Sequence, residues 1–280
     1  MDDTTRVTRT GFINNVSLNK FMIILTKKEI FETYKNKTRA KKVVKTLLEN
    51  KLLPLHASKE LSSIVGHLMG DGNLNKDVFV GDFRFYGTKK KLEYIMVKVF
   101  NVFDIAPKRF YKRKEGFVLK YNNSVISRLL HSIGVPRGNK VNISFRVPYW
   151  IKKSNETLVQ RSFLTALCDD ELSSPRYDKR GYIEPLRLKF NKNEKIISSG
   201  FEFLEDLREL FWSMGVKTSS IKMNNEIYTS INHERNRSIY FNISSKRENL
   251  YKFKEKIGFE SEDLKKIKLK NMLELERKPL

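Results

Sequence analysis

Cysteine is nearly absent. The 280 residues carry one, Cys168, which excludes an internal disulfide and any multi-cysteine zinc site. The four histidines, His56, His67, His131 and His233, show no metal-ligand spacing. No run approaches the roughly 20 apolar residues that a membrane span needs. The opening residues, MDDTTRVTRT, carry acids where a secretory signal carries Lys or Arg, and no apolar stretch follows at once. A soluble, intracellular protein is therefore expected, in a prokaryotic cytoplasm or an organelle interior. No Gly-Lys-Ser/Thr follows Met69–Asn73, so that glycine-bearing stretch is not a phosphate loop.

Acids are also scarce beside bases. Lys and Arg number 55 against 32 Asp and Glu, a formal charge of +23. With 40% hydrophobic and 31% charged residues the composition is that of a globular protein, not a disordered one. Such an excess of positive charge fits a polyanion, because each Lys or Arg placed on a phosphate releases condensed counterions. Lys108–Lys114 (KRFYKRK) and Arg146–Lys153 (RVPYWIKK) mix basic with aromatic side chains. A plain lysine-rich solvated surface is the bland alternative. A membrane partner is not expected, since no basic helix carries a wide apolar face.

The first 55 residues read differently from the rest. Ser17–Leu25 is apolar-rich. Thr26 and Glu29 have capping-box spacing, which predicts a helix over Lys27–Tyr34. After a turn near Asn36, Thr38 could cap a second helix over Arg39–Asn50. This basic segment is either a helix-turn-helix-like accessory element or a plain helical extension.

From Pro54 onward the chain repeats itself. The first unit reads as a helix over Ser58–Asp71, a strand over Val78–Tyr86 and a helix over Lys89–Phe103. A hairpin of Arg109–Lys114 and Phe117–Tyr121 follows, then a helix over Ser124–Ser132 ending at Gly134. The second unit has the same order: a helix over Glu156–Glu171, a strand over Pro185–Asn191 and a helix over Gly200–Met214. Strands near Ser219–Asn224 and Ser238–Ser244 flank a polar loop, Asn225–Asn236, before a helix that ends at Gly258. Residues 259–280 read as one more charged helix. The duplication implies a pseudo-two-fold protein.

Each unit opens with an apolar helix that ends in acid. The first reads IVGHLMGDG (Ile64–Gly72) and the second LTALCDDEL (Leu164–Leu172), which places Asp71 and Glu171 at equivalent positions. A carboxylate at a helix C-terminus faces the negative end of the dipole, at a cost of roughly 0.3–1 kcal/mol. A divalent cation reverses that sign. Gly66 and Gly70 leave a flat stripe on the first helix, and Ala166 is its small counterpart on the second. If the helices pack along these stripes, Asp71 and Glu171 meet at one end. Paired carboxylates in a basic protein point to metal-assisted phosphodiester hydrolysis. Taken singly, Gly70-Asp71-Gly72 is also readable as a turn and Asp169–Glu171 as a solvated helix end. Cys168 and His67 lie inside these helices, where packing is the expected role.

The two motifs resemble those of the LAGLIDADG homing endonuclease family, over about residues 58–258. The resemblance implies an α+β fold of two pseudo-symmetric αββαββα repeats, at 56–150 and 151–280, with antiparallel DNA-binding sheets. Residues 1–55 form a helical extension outside it. Further strands would fall near Gly72–Lys76 and Arg176–Tyr182. The resemblance implies a monomeric, intron-encoded enzyme that cuts both strands of DNA at a long target site. The last acid of each motif, Asp71 and Glu171, would bind Mg²⁺ or Mn²⁺. Lys140, in a Gly-x-Lys context, and Lys192, at a strand end, match the family's basic catalytic positions. Lys265 is a looser match to the Lys140 position in the second unit, and Lys89 stands at the strand end of the first unit as Lys192 does in the second. Strand alternation then offers Arg84, Tyr86, Lys112, Lys120, Arg187, Lys189, Lys222 and Asn224 to a duplex. The second motif departs from the pattern. Glu171 replaces Asp, Asp170 stands where a small residue usually lies, and Leu172 replaces glycine. These changes support an alternative, a non-cleaving relative acting as an intron maturase on RNA or as a transcriptional regulator.

Overall fold

The computed structural model describes residues 22–77, 80–229 and 234–274. Residues 17–21 of the apolar stretch, 78–79 of the first strand, 230–233 of the polar loop (with His233) and 275–280 of the last helix lie outside the described residues. No described helix is long and apolar enough to cross a membrane.

The N-terminal segment is built on its caps. Strand β1 (Ile23–Leu25) leads to Thr26, whose backbone N–H donates to Glu29 Oε2 at 2.7 Å while Glu29 N–H donates back to Thr26 Oγ1 at 3.4 Å. Helix α1 (Lys27–Glu32) follows. Helix α2 (Lys37–Glu49) starts earlier than Thr38 would allow, because the Asn36 amide oxygen accepts from Arg39 N–H at 2.9 Å and takes the capping role. Ala40, Val43 and Leu47 form the buried stripe of α2 and belong to the same core as the first repeat. Strand β2 (Leu55–His56) pairs with β1 and hands the chain to that repeat.

The first repeat runs α3 (Lys59–Met69), β3 (Asn73–Leu74), β4 (Asp82–Gly87), α4 (Lys89–Phe103), β5 (Arg109–Arg113), β6 (Gly116–Asn122) and α5 (Ser124–Ser132). Its antiparallel sheet has the order β3-β4-β6-β5. After the short α6 (Tyr149–Lys152) the second repeat runs α7 (Thr157–Glu171), β7 (Leu186–Asn193), α8 (Ile197–Ser213), β8 (Lys222–Thr229), β9 (Arg235–Ile243) and α9 (Arg247–Lys256), followed by α10 (Asp263–Glu274). Its sheet has the order β7-β9-β8. The duplication is thus present in space as an α+β fold with two antiparallel sheets. Both units close on a glycine with positive φ, Gly134 at +107° and Gly258 at +67°.

Three expectations for the strands need correction. The strand expected near Gly72–Lys76 shrinks to the two residues of β3. The one expected near Arg176–Tyr182 is only a set of isolated bridges, Leu172↔Leu188 and Tyr177↔Ile183. There Asp178 Oδ1 accepts from the N–H groups of Arg180 and Tyr182, at 2.9 and 2.8 Å, and folds the chain into a tight turn. The polar loop expected over Asn225–Asn236 is largely strand, since β8 reaches Thr229 and β9 begins at Arg235. Its side chains are mostly exposed on both faces, so no apolar alternation marks it as a hairpin.

The two motif helices, α3 and α7, pack against each other at the centre. A Cβ on Gly66 would lie 2.7 Å from the Phe163 carbonyl oxygen and 2.9 Å from Ala166 Cβ, so only glycine admits this approach. Ile64, Val65, Leu68, Phe163, Leu164 and Leu167 are buried around it, each worth roughly 1.5–3 kcal/mol of apolar burial. Cys168 is buried with them, as expected of a core residue. The linker between halves is fastened by charge. Arg146 Nε and Nη2 donate to the two Asp206 oxygens at 2.7 Å each, and the Lys152 ammonium joins them. Arg146 and Lys152, read from sequence as part of a polyanion surface, are therefore engaged internally.

Candidate functional site

Asp71 follows the C-cap of α3 and Glu171 is the last residue of α7. Packing of the helices brings the two acids together at one end. Asp71 is half-exposed and Glu171 partly buried. Burial, and next to it the Asp71 carboxylate, pushes Glu171 up to about 8. Burial and the Asp170 carboxylate raise Asp71 too, against the pull of Lys91, Lys140 and Lys265. Among the described residues no three His, Cys, Asp or Glu side chains form a metal-holding group. Asp71 and Glu171 offer carboxylate oxygens at this end of the helix pair.

Two lysines hold the ends that carry these acids. Lys140 Nζ donates to the carbonyls of Met69 at 3.1 Å and Gly72 at 2.9 Å, and also to that of Gly70. Lys265 Nζ, from α10, donates to the carbonyls of Asp169 at 2.7 Å and Leu172 at 2.8 Å. Each satisfies carbonyls that the helix leaves unpaired and sets a positive charge at the negative end of its dipole. The two lysines are thus structural equivalents. Burial pulls both below the ordinary lysine range.

The other two predicted lysines fall elsewhere. Lys192 is buried and donates to the carbonyls of Lys140 and Ile143, at 2.7 Å each. Burial, and then the Lys140 charge, push it down to about 8. It braces the turn that carries Lys140. Lys89 is exposed and sits 3.7 Å from Glu93, one helical turn along α4.

Sequence reasoning missed the residue that does reach the acids from α4. Lys91 Nζ is 2.6 Å from Asp170 Oδ1 and 3.6 Å from Asp71 Oδ2, with its side chain 3% exposed. The signal was present, because Lys91, Ile95 and Val99 share one buried stripe at four-residue spacing. Asp170 was read only as the loss of a small residue. It is buried, with Oδ1 3.1 Å from His67 Nδ1, and Oδ2 accepts the Asp71 backbone N–H at 3.1 Å. Burial pushes its carboxyl up, but His67 and Lys91 outweigh that and hold it below the ordinary range. Gly70 makes the room, since a Cβ there would lie 2.5 Å from Asp170 Oδ2. The neighbouring Asp169 accepts from Glu260 N–H at 3.0 Å and Ser261 N–H at 2.8 Å, and so ties α7 to the approach of α10.

The sheets supply a basic surface. In β7, Leu186, Leu188 and Phe190 are buried while Arg187, Lys189 and Asn191 face out. Register places Arg187 opposite Asn242, and both Lys189 and Lys222 opposite Tyr240, so these side chains share a face. The Arg187 guanidinium lies 4.4 Å from the Tyr240 ring centroid. Asn224 lies in an irregular stretch between Met223 and Ile227, with its amide 3.5 Å from Glu226. In the first sheet Arg84 pairs across from Lys120, and both reach Asp82 Oδ2, at 2.5 and 2.9 Å. Lys112 is a correction. The hairpin pairs Arg113 with Gly116, which sets Lys112 opposite Phe117, on the other face from Arg84 and Tyr86. Arg109, Tyr111 and Arg113 occupy the face expected for it. A third basic surface lies on α2, where Lys37, Arg39, Lys41, Lys42 and Lys45 are all exposed.

No family model matches the chain. It is 29% identical over 246 residues to a tRNA-splicing ligase RtcB of Methanopyrus kandleri, a match covering 80% of this chain and 24% of the ligase. It is 28% identical over 206 residues to the DNA-directed RNA polymerase subunit Rpo1N of Methanocaldococcus jannaschii, covering 66% of this chain and 15% of the subunit. The chain therefore spans a quarter or less of the length of these relatives. Among solved structures, I-DmoI in complex with DNA and Mn aligns over 72% of this chain and 98% of its own, with 19% identity and a TM-score of 0.45. The I-SmaMI LAGLIDADG homing endonuclease bound to cleaved DNA aligns over 76% of this chain and 88% of its own, with 9% identity and a TM-score of 0.40.

Proposed function

We propose that this chain is a site-specific endonuclease of double-stranded DNA, acting as a monomer with a divalent cation held by Asp71 and Glu171. The observation that carries the reading is the meeting of those two carboxylates at the end of a duplicated helix pair, where burial and then the Asp71 charge push Glu171 up to about 8. Two like charges held together by packed helices leave an electrostatic debt that a cation relieves. The donors are carboxylate oxygens, which suits Mg²⁺ or Mn²⁺ and not a metal that prefers thiolate or imidazole. When bound, such a cation supplies neutralisation of the phosphodiester charge and activation of the attacking water. The chain's own residues do the rest. Lys140 and Lys265 fix the backbone beneath the two acids. Arg187, Lys189 and Lys222 offer cationic heads to phosphates and base edges, and Arg109 and Arg113 do so from the other sheet. The basic face of α2 extends the same charge to flanking phosphates.

The ligase and polymerase relatives favour neither of their own chemistries for this chain. The same stretch of sequence matches a minor part of two enzymes with different reactions. The common denominator is a module carried within unrelated hosts, which fits a mobile, intron-encoded or similarly inserted nuclease. The second motif favours the non-cleaving alternative, a maturase or regulator: its acid is the longer Glu171, and Leu172 stands where the first motif has Gly72.

The test is incubation with a randomised duplex library, in Mg²⁺ against EDTA, for the wild type, Asp71→Asn and Glu171→Gln. Cutting at a defined site in Mg²⁺ alone, reduced on the order of 10²-fold or more in each variant, is expected. Tight, salt-sensitive duplex binding with no cutting in any divalent metal sinks the nuclease and promotes the alternative.

A further inference from the structure

We infer that Lys91 is a resident counter-ion clamped by Asp170, and that this clamp keeps the Asp71 carboxylate free for a divalent cation. Lys91 and Asp170 are thereby positioning residues. The inference rests on the proposed metal site, but it concerns side chains that reach that site from behind.

Three observations carry it. The clamp is buried, with the Lys91 side chain 3% and the Asp170 side chain 1% exposed. An ion pair withdrawn that far from water is costly unless each charge is closely matched. The match here is close: Lys91 Nζ to Asp170 Oδ1 at 2.6 Å, with His67 Nδ1 on the same oxygen at 3.1 Å. Second, Asp170 does two jobs with two oxygens. Oδ2 accepts the backbone N–H of Asp71 itself at 3.1 Å, so the group that fixes Lys91 also fixes the acid-bearing turn. Third, the arrangement is one-sided. The position that matches Asp170 in the first motif is Gly70, whose missing Cβ is what gives Asp170 its space. The first motif offers no equivalent clamp to the acid of the second.

The distances define what the clamp prevents. Lys91 has three carboxylates in reach: Asp170 at 2.6 Å, Asp71 at 3.6 Å and Glu262 at 3.8 Å. With Asp170 neutralised, the nearest remaining carboxylate is that of Asp71. The ammonium then closes on Asp71 and competes with any metal for its oxygens. With Lys91 removed, the opposite happens. Asp170 loses its ammonium partner and keeps only the His67 ring and the Asp71 N–H, beside the carboxylates of Asp71 and Glu171, and an external cation takes the place of the ammonium.

The experiment measures Mn²⁺ affinity by calorimetry on the full chain without DNA, and Tm with and without Mn²⁺, for four proteins. Asp170→Asn should bind Mn²⁺ about tenfold more weakly than the wild type. The double variant Asp170→Asn/Lys91→Met buries no unbalanced charge, so it should fold, and it should recover most of the lost affinity. Lys91→Met alone should have a lower Tm in EDTA and a larger Mn²⁺-induced rise than the wild type. Recovery of Mn²⁺ affinity in the double variant is the decisive reading, and it must exceed what Tm recovers, because two residues in contact couple in stability as well. Wild-type affinity in Asp170→Asn, or no recovery in the folded double variant, overturns the inference. A wild type that binds Mn²⁺ but cuts no duplex removes the nuclease reading and leaves the clamp standing. A wild type that takes up no Mn²⁺ overturns the inference.

Discussion

The two halves share a scaffold and differ in how they settle charge. Both present an acid at the end of a central helix, and both hold that end with a lysine on its terminal carbonyls, Lys140 in one and Lys265 in the other. Around that common frame the first half uses more of its sheet charge internally. Asp71 has Lys91 behind it, and in the first sheet Asp82 takes up Arg84 and Lys120. The second half leaves part of its sheet charge open. Burial, and then the Asp71 carboxylate, push Glu171 up to about 8. In the second sheet Glu194 takes up Arg235 and Arg237 while, among the described residues, no acid pairs with Arg187, Lys189 or Lys222. The helix axis and its caps are what the duplication preserves, while the charge pattern is where the halves were free to specialise.

Breaking the shared axis should have the largest effect. Gly66→Val forces a side chain to within 2.7 Å of a carbonyl oxygen of α7. It should cost at least ~3 kcal/mol, read as a lower midpoint in denaturant unfolding. Both acids ride on this axis, so Mn²⁺ uptake should fall with it. A variant as stable as the wild type would mean that the helices can part without harm, and the comparison would lose its common frame.

The strand-to-helix corners sharpen the comparison next. The first half puts a glycine on the strand (Gly87) and the lysine on the helix (Lys91), while the second puts the lysine on the strand (Lys192) and a glycine on the helix (Gly200). In each corner a Cβ on the glycine would run into the lysine's stem, at 2.7 Å in both cases. The two lysines respond differently to pH. Lys192 is pushed down to about 8 by burial and by Lys140. A base with a depressed pKa opposes folding wherever it must carry its charge, so the penalty is full below pH 8. It fades as pH rises toward the unfolded value of 10.5. Stability attributable to Lys192 should therefore rise between pH 8 and 10.5, by roughly 2–4 kcal/mol. The measurement is the Tm of the wild type against Lys192→Met over that range. Parallel curves for the two proteins would refute it.

What could be read from sequence follows from what burial does to a pattern. The central helices were legible as continuous runs, buried all round over 61–69 and 163–169, while α4 and α5 each keep one apolar stripe and end where the pattern ends, at Phe103 and Ser132. The expectation that Asp71 and Glu171 meet rested on their matching places in the repeat and on Gly66 and Gly70 set against Ala166. Two site residues were hidden for opposite reasons. Lys91 stands in a run of three lysines and looks solvated, yet only its position on the Leu92–Ile95 stripe decides its burial. Asp170 looked like a decayed motif position, and its meaning depends on Gly70 and Lys91, far away in sequence. The β8–β9 arm has little buried face and so no alternation to detect. Lys112 was placed on the wrong side because strand parity depends on a turn that pairs Arg113 with Gly116.

The sheets offer the smallest effects and the cleanest separation of the halves. Among the described residues Arg187 and Lys189 have no acid partner and make little contact beyond the Tyr240 ring and the Asn242 amide, 3.3 Å from Arg187 Nε. Their loss should leave stability within ~0.5 kcal/mol and should weaken duplex binding. The dependence of log affinity on log salt should flatten by about 0.9 for each phosphate contact removed. Arg84 is the opposite case. It is committed to the buried Asp82, whose Oδ1 already has no partner. Arg84→Ala should cost about 1 kcal/mol of stability and change the salt slope less than Arg187→Ala does. The pair of measurements, unfolding midpoint and salt slope, therefore crosses over between the two arginines if the first half spends its charge internally and the second spends it on its ligand. Equal slopes for the two variants would place both sheets on the duplex alike, and the difference between the halves would then be confined to the acids at the helix ends.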